Sequence, residues 1–287
     1  MKIRSTGVTE RILSLILVLM MLVSMFTLPV SAADLDVSDV GVDPLTVTID
    51  TGASVTLYDI DGDGYYEIGT ADDLYAFSAL VFSGETTING ELTADIIVNE
   101  GKMTEESTTA RAWLGIGRSS SNIYNGDFEG NNFFVSGLYH DTSSNYKGLF
   151  GRTGTSFSLQ NLTLKNSYIR GVESVGGIAG YSQGTITNCH SIDNTIAGSD
   201  TSSNYIGGVV GYSHTLQITG CTNTSSVLGH SYVGGIIGYH TNSSTMTDCH
   251  NSGYVKGMTT DCGGVVGNIQ NAASIVTNCT NSGAVEG

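Results

Sequence analysis

The sequence predicts an all-β fold, a parallel β-helix of coils about 29 residues long with a short helix capping its N-terminal end. A repeat predicts the coils. Glycine, two apolar residues and a second glycine recur as GLFG from Gly148, GIAG from Gly177, GVVG from Gly208, GIIG from Gly235 and GVVG from Gly264, at offsets of 29, 31, 27 and 29 residues. Each copy is followed by a second apolar piece (SLQNLTL, TITNCHS, QITGCTN, TMTDCHN, IVTNCTN) and closed by a third (YIRG, TIAG, SVLG, YVKG, AVEG). The content of the unit predicts strands. Every piece has strand length, is bounded by Gly, Asn, Asp or Ser, and lacks a helical period. Three short strands in about 29 residues suit one turn of a solenoid, whereas a propeller blade needs four strands in about 40. The helix is predicted by the one stretch with helical spacing and caps at both ends, residues 70–84.

Residues 1–32 read as a secretory signal peptide. Lys2, Arg4 and Arg11 form its basic region, ILSLILVLMMLVSMFTL its apolar region, and VSA its small-residue end, with cleavage after Ala32 or Ala33. A membrane anchor is the other reading of so long an apolar run, and no second run of that length follows. Residues 33–56 form a linker and first strand. In residues 57–84, DIDGDGYYE sets Asp59, Asp61 and Asp63 at alternate positions, followed by Tyr65 and Glu67. Alternating carboxylates on a glycine-rich bend begin a calcium loop. Thr70 stands where an EF-hand has its bidentate Glu, so that pattern fails, while the D-x-D-x-D-G-x-x-E pattern of other extracellular calcium loops survives. A structural calcium at Asp59, Asp61, Asp63, Tyr65 and Glu67 is one reading; a solvated Asp-Gly hairpin is the other. No other cofactor is required.

Thr70 caps the helix, with Asp73 as its capping-box partner, and Gly84 ends it. Leu74, Phe77, Leu80 and Val81 share one face. Such a helix covers a first coil whose edge would otherwise pair with other chains. Residues 85–145, with ELTADIIVNE, WLGIG and GDFEGNNFFVSGLY, form the entrance coils, and Trp113 fills their core. Residues 146–287 form five coils ending on AVEG, the close of a unit, which suggests a truncated product.

In a β-helix like positions stack about 4.8 Å apart. Val175, Ile206, Val233 and Cys262 then make one file, and Ile178, Val209, Ile236 and Val265 another. Cys189, Cys221, Cys249 and Cys279 share one place in four units, where the first unit has Leu162. Cysteine that interchanges with leucine reads as a small buried hydrophobe; disulfides between adjacent coils are the alternative the spacing allows. Asn223, Asn251 and Asn281 stack as an amide ladder, and Tyr181, Tyr212 and Tyr239 as an aromatic file. A glycan-binding strip is the functional reading of those tyrosines, and stacking for stability the other.

The chain has 11 Lys and Arg against 27 Asp and Glu, a net charge of −16. Loss of the leader removes Lys2, Arg4, Arg11 and Glu10 and leaves 8 against 26. Such a surface repels nucleic acid and anionic membranes. Low proline with abundant Gly, Ser, Thr and Asn, and aliphatics at fixed places, argues against disorder.

YYEIGTADDLYAFSALV, ELTADIIV, GDFEGNNFFVSGLY, KGLFG, LQNLTLKNSYI and the repeated VGGIxGY together resemble bacterial exported proteins with GLUG-motif repeats, over residues 57–287. Such repeats also stand in non-catalytic regions of immunoglobulin A peptidases. The resemblance implies a right-handed β-helix in a cell-surface or adhesive setting, often within a longer protein, and implies no catalytic residue.

Enzymatic signatures are sparse. A β-helical lyase needs a Lys or Arg base, and from Ser174 onward Lys256 is the one basic side chain apart from histidines. Glu173, Asp193, Asp200, Asp248, Asp261 and Glu286 occupy different places in the repeat, so no glycosidase pair is marked. HExxH is missing, and GYSQG (Gly180–Gly184) lies inside the strand-like repeat with no helical pattern after it, so it marks no G-x-S-x-G nucleophile elbow. His190 and His250 share a place two units apart, too far for one metal; His214 and His240 lie in neighbouring units, where a surface zinc is one reading and a solvated pair the other. The expected function is a secreted or cell-surface scaffold or adhesin module, not an enzyme, with a host protein or polysaccharide as ligand. A polysaccharide lyase or glycosidase and a passive stalk are the alternatives.

Overall fold

The first turns of backbone set how the solenoid starts. In the computed structural model, which describes residues 44–199, 204–270 and 272–287, β1 (Leu45–Thr48) and β2 (Ser54–Leu57) form an antiparallel hairpin. The signal-peptide reading, residues 1–32, lies outside the described residues. After an acidic loop, β3 (Tyr65–Ile68) leads into α1 (Ala71–Ser83). The Asp73 amide donates to Thr70 Oγ1 (3.2 Å) and the Thr70 amide to Asp73 Oδ2 (2.9 Å), closing the expected capping box. Gly84 ends the helix at φ 127°. The predicted face is buried, and Phe77 meets Tyr124 and Phe128 edge-on at 5.7 and 5.6 Å. The helix is thus a lid whose underside continues the core of the coils. Burial of side chains of this size stabilises by roughly 1.5–3 kcal/mol each.

Each later coil follows one course. The coil beginning at Glu173 has strands Glu173–Gly176, Ala179–Thr187, His190–Ile192 and Thr195–Gly198. Each pairs in parallel with its equivalent in the next coil: Asn204–Gly207, Val210–Thr219, Thr222–Asn223 and Ser226–Gly229. The ladders continue into sheets of eleven, seven, six and four strands. A coil therefore has four strand segments where the sequence suggested three, because the double glycine turns the chain between two short segments. Backbone crowding makes glycine necessary there. A methyl on Gly235 would lie on the Gly264 carbonyl oxygen and the Asn251 amide group.

Left-handed backbone is found elsewhere in the coil. Asn161, Asn188, Gly220, Asp248 and Asn278 occupy the corner before the Leu162 and cysteine positions, with φ between 52° and 67°. That explains why Asn, Gly and Asp interchange there, since these residues enter this conformation at least cost. A second left-handed corner holds Tyr146, Ser174, Tyr205, Tyr232 and Asp261. Unit length varies at a third place, where the ladder shifts register between Ser182 and Gly184 and the following coil carries one extra residue.

The interior files are those the sequence indicates. Val175, Ile206, Val233 and Cys262 pair in register. Amides of Ile178, Val209 and Ile236 donate to Val209, Ile236 and Val265 in turn. A further file runs Leu159, Ile186, Ile218, Met246 and Val276. Trp113 is buried and its indole donates to the Gly148 and Leu149 carbonyls, both at 3.2 Å.

Two glycines test the distinction between crowding and conformation. Gly235→Ala is expected to cost about 3 kcal/mol or to prevent folding, because backbone must move. Gly220→Asn is expected to stay within about 1 kcal/mol, because Asn188 already adopts that corner and nothing approaches the added carbon closer than 3.9 Å. Urea denaturation of both variants measures the difference.

Candidate functional site

The acidic loop between β2 and β3 is preorganised by its own amides. Asp59 accepts from Gly62 (2.8 Å) and Gly64 (3.1 Å), Asp61 from Asp63 (3.2 Å), and Asp63 from Tyr65 (2.9 Å). Glu67 Oε1 accepts from the Ile60 amide at 2.8 Å, which folds the loop back on β3. Asp59, Asp61 and Glu67 each bring a carboxylate oxygen within 4.8 Å of the others. Asp63 stands outside this group, and the Tyr65 hydroxyl turns toward Asp127 (3.5 Å). Burial, opposed by its amide bonds, raises the Glu67 carboxyl above its usual range. Its Oε2 is buried with no hydrogen-bond partner. Three hard oxygens, one of them unsatisfied, fit an oxygen-preferring divalent cation.

Sequence reasoning missed the neighbours of Glu67. Glu91 and Glu129 occupy its register on the next two coils. Asn131 donates from its side chain to Glu91 (2.7 Å) and from its backbone to Glu129 (2.8 Å), while Asn161 donates to Glu129 (3.0 Å) from the next coil. Burial also raises the Glu91 carboxyl. The spacings of 24 and 38 residues hide this file from a search at the repeat period.

Tyr181, Tyr212 and Tyr239 do stack, at 5.1 Å between successive rings. Tyr205 and Tyr232 form a second stack at 5.3 Å, edge-on or tilted to the first. Arg152 covers Tyr146 and Tyr181 at 4.6 and 4.9 Å. A sugar packs on ring faces, and here the rings cover one another's faces and turn their edges outward. The geometry therefore favours stacking as the role of this surface.

The cysteines line up. The Cys189 amide donates to Cys221 Sγ and the Cys249 amide to Cys279 Sγ, each at 3.4 Å. All five cysteines are free thiols. Burial raises Cys221, and the contact with Cys221, then burial, raises Cys249. Beside them the amides of Asn223, Asn251 and Asn281 form a ladder at 2.8 and 2.7 Å, each also donating to the backbone two residues on.

The histidines divide. His190 and His250 flank Thr222 in one ladder, two coils apart as expected. His214 and His240 do not meet. His240 stands opposite Ser213, fully buried and bonded to its hydroxyl at 2.8 Å, while His214 stands opposite Thr241. The two histidines occupy successive positions of an unshifted ladder, so their side chains leave opposite faces of the sheet and a shared zinc is not formed.

Stacked coils with amide and thiol ladders define a β-solenoid. Residues 229–256 match the family model of the GLUG motif. Halomucin of Haloquadratum walsbyi is 32% identical over 181 residues, covering 58% of this chain and 2% of that protein, so the chain corresponds to a small fraction of its length. The crystal structure of a presumed immunoglobulin A1 protease from Bacteroides ovatus shares the fold, with TM-score 0.60 and 17% identity over 77% of this chain and 76% of that one.

Thiol reactivity follows from the ladder. Cys262 and Cys279 are half-buried and are expected to react with an aromatic disulfide reagent first, while Cys189, Cys221 and Cys249 wait for unfolding. Counting thiols released before and after adding denaturant checks this.

Proposed function

We propose that this chain is a secreted or cell-surface β-helical scaffold, an adhesin module that presents its sides to a host protein or polysaccharide and has no catalytic activity of its own. The observation that carries the reading is the continuous parallel register from Glu173 to the last coil, which makes a stiff body with repeating surfaces. The GLUG match and the similarity to halomucin support it. Among the described residues, no helix is long and apolar enough to cross a membrane. Binding of the purified chain on arrays of host proteins and polysaccharides tests the reading; selective binding that survives added salt is expected, and inertness would leave a passive stalk.

The same reading gives the acidic loop a structural calcium, held by Asp59, Asp61 and Glu67. The ion would neutralise these carboxylates and fasten the loop to β3 and the start of α1. Calcium at a hundredfold excess over its dissociation constant is expected to raise the melting temperature by about 5 °C. Glu67→Gln is expected to lose most of that rise, and a chelator to reverse it.

A second reading rests on Glu91 and Glu129. Strands about 4.8 Å apart bring in-register carboxylates near the separation of about 5 Å found in retaining glycosidases. New reducing ends from a polysaccharide panel, abolished by Glu91→Gln, would favour this reading over the scaffold.

A further inference from the structure

Two interior files that are apolar in the later coils carry a basic residue near their start. His140 stands in register with Ile169, and through it with Ile196, Val227 and Val255. Lys147 stands opposite Val175, in the file continued by Ile206 and Val233. Both are buried, at 3% and 7% exposure. His140 Nδ1 has no hydrogen-bond partner. The Gly148 carbonyl that holds the imidazole also accepts from the Trp113 indole. The Trp113 amide donates to the Tyr139 carbonyl at 2.7 Å, so Trp113 and His140 belong to adjacent coils.

The charges that face this pair are all positive. Lys147 acts on His140, and Arg118 acts on Lys147. Arg118 itself lies over the Phe82 ring at the end of α1. Asp141 and Arg170, which follow His140 and Ile169, are paired with each other at 2.7 Å away from the interior, with Glu105 also on Arg170. Tyr139 and Tyr168 stack at 5.9 Å on that same side. Glu173, two residues before Val175 on the strand opposite Lys147, accepts from Asn145.

We propose that His140 and Lys147 form an acid-sensitive latch in the entrance coils. A proton on His140 would set a second cation in an interior without a facing carboxylate, and separation of the Trp113 segment from the coil beneath relieves it. Burial, with repulsion from Lys147 added, pushes His140 down to about 3, whereas a solvated histidine titrates near 6.5. A depressed folded value means that the closed form is favoured above pH 6.5 and loses ground as pH falls toward 3. The open-to-closed ratio then rises about tenfold per pH unit across that window.

Hydrogen exchange reads this ratio directly. After correction for intrinsic rates, protection of residues 109–118 should fall about tenfold per pH unit between pH 6.5 and 4.5, and His140→Leu should remove one proton's worth of that slope. His240→Leu, at the other buried histidine, should leave this segment's slope unchanged. An unaltered slope in His140→Leu would overturn the proposal. Imidazole titration by NMR in the unsubstituted protein gives an independent reading. A His140 resonance that stays neutral to below pH 4.5 supports the latch, and ordinary titration near 6.5 overturns it.

Discussion

Backbone pairing between successive coils is the constraint from which the other features follow. Parallel ladders fix the distance between neighbouring strands, so every side chain meets its own equivalent above and below. A position must then hold a residue that tolerates its own kind at close range. Aliphatics meet this by packing, as in Ile186, Ile218 and Met246. Asn223, Asn251 and Asn281 meet it with an amide that both donates and accepts. Cysteine meets it as a small side chain whose sulfur accepts a neighbour's amide.

Carboxylates are poorly suited to this arrangement, and the structure shows how they are accommodated. Glu67, Glu91 and Glu129 share a register only in the entrance region, where Asn131 donates to both Glu91 and Glu129 and Asn161 donates to Glu129 from the next coil. The entrance differs in packing too. Phe77 of the lid joins Tyr124, Phe128, Phe150 and Phe157 in one aromatic cluster where helix and coil meet. The interior files of the later coils are mainly aliphatic.

Most of the solenoid could be read from the sequence because the repeat itself displays the register. The files through Val175, Ile178 and Cys189, the asparagine ladder and the tyrosine stack all follow from aligned glycines. The capped helix was legible because Thr70, Asp73 and Gly84 act locally. Registers outside the repeat were hidden. Glu91 and Glu129 align with Glu67 only through coils of unequal length, and His240 takes the inward place of Ser213 while His214 takes the next, outward one. The fourth strand segment is unmarked in the sequence because two-residue turns and short strands look alike in composition. In the acidic loop, the alternation of Asp59, Asp61 and Asp63 suggested one cluster, but Asp63 spends its oxygen on the Tyr65 amide.

The register shift between Ser182 and Gly184 shows where the solenoid accepts added chain. Two adjacent coils differ there by a residue, yet the ladders on either side resume the same pairing. A peptide epitope grafted into this bend would project from the side of the rod without disturbing the stack. Grafts at equivalent bends of successive coils would form a row with one copy per coil, a ruler for displaying ligands at fixed intervals.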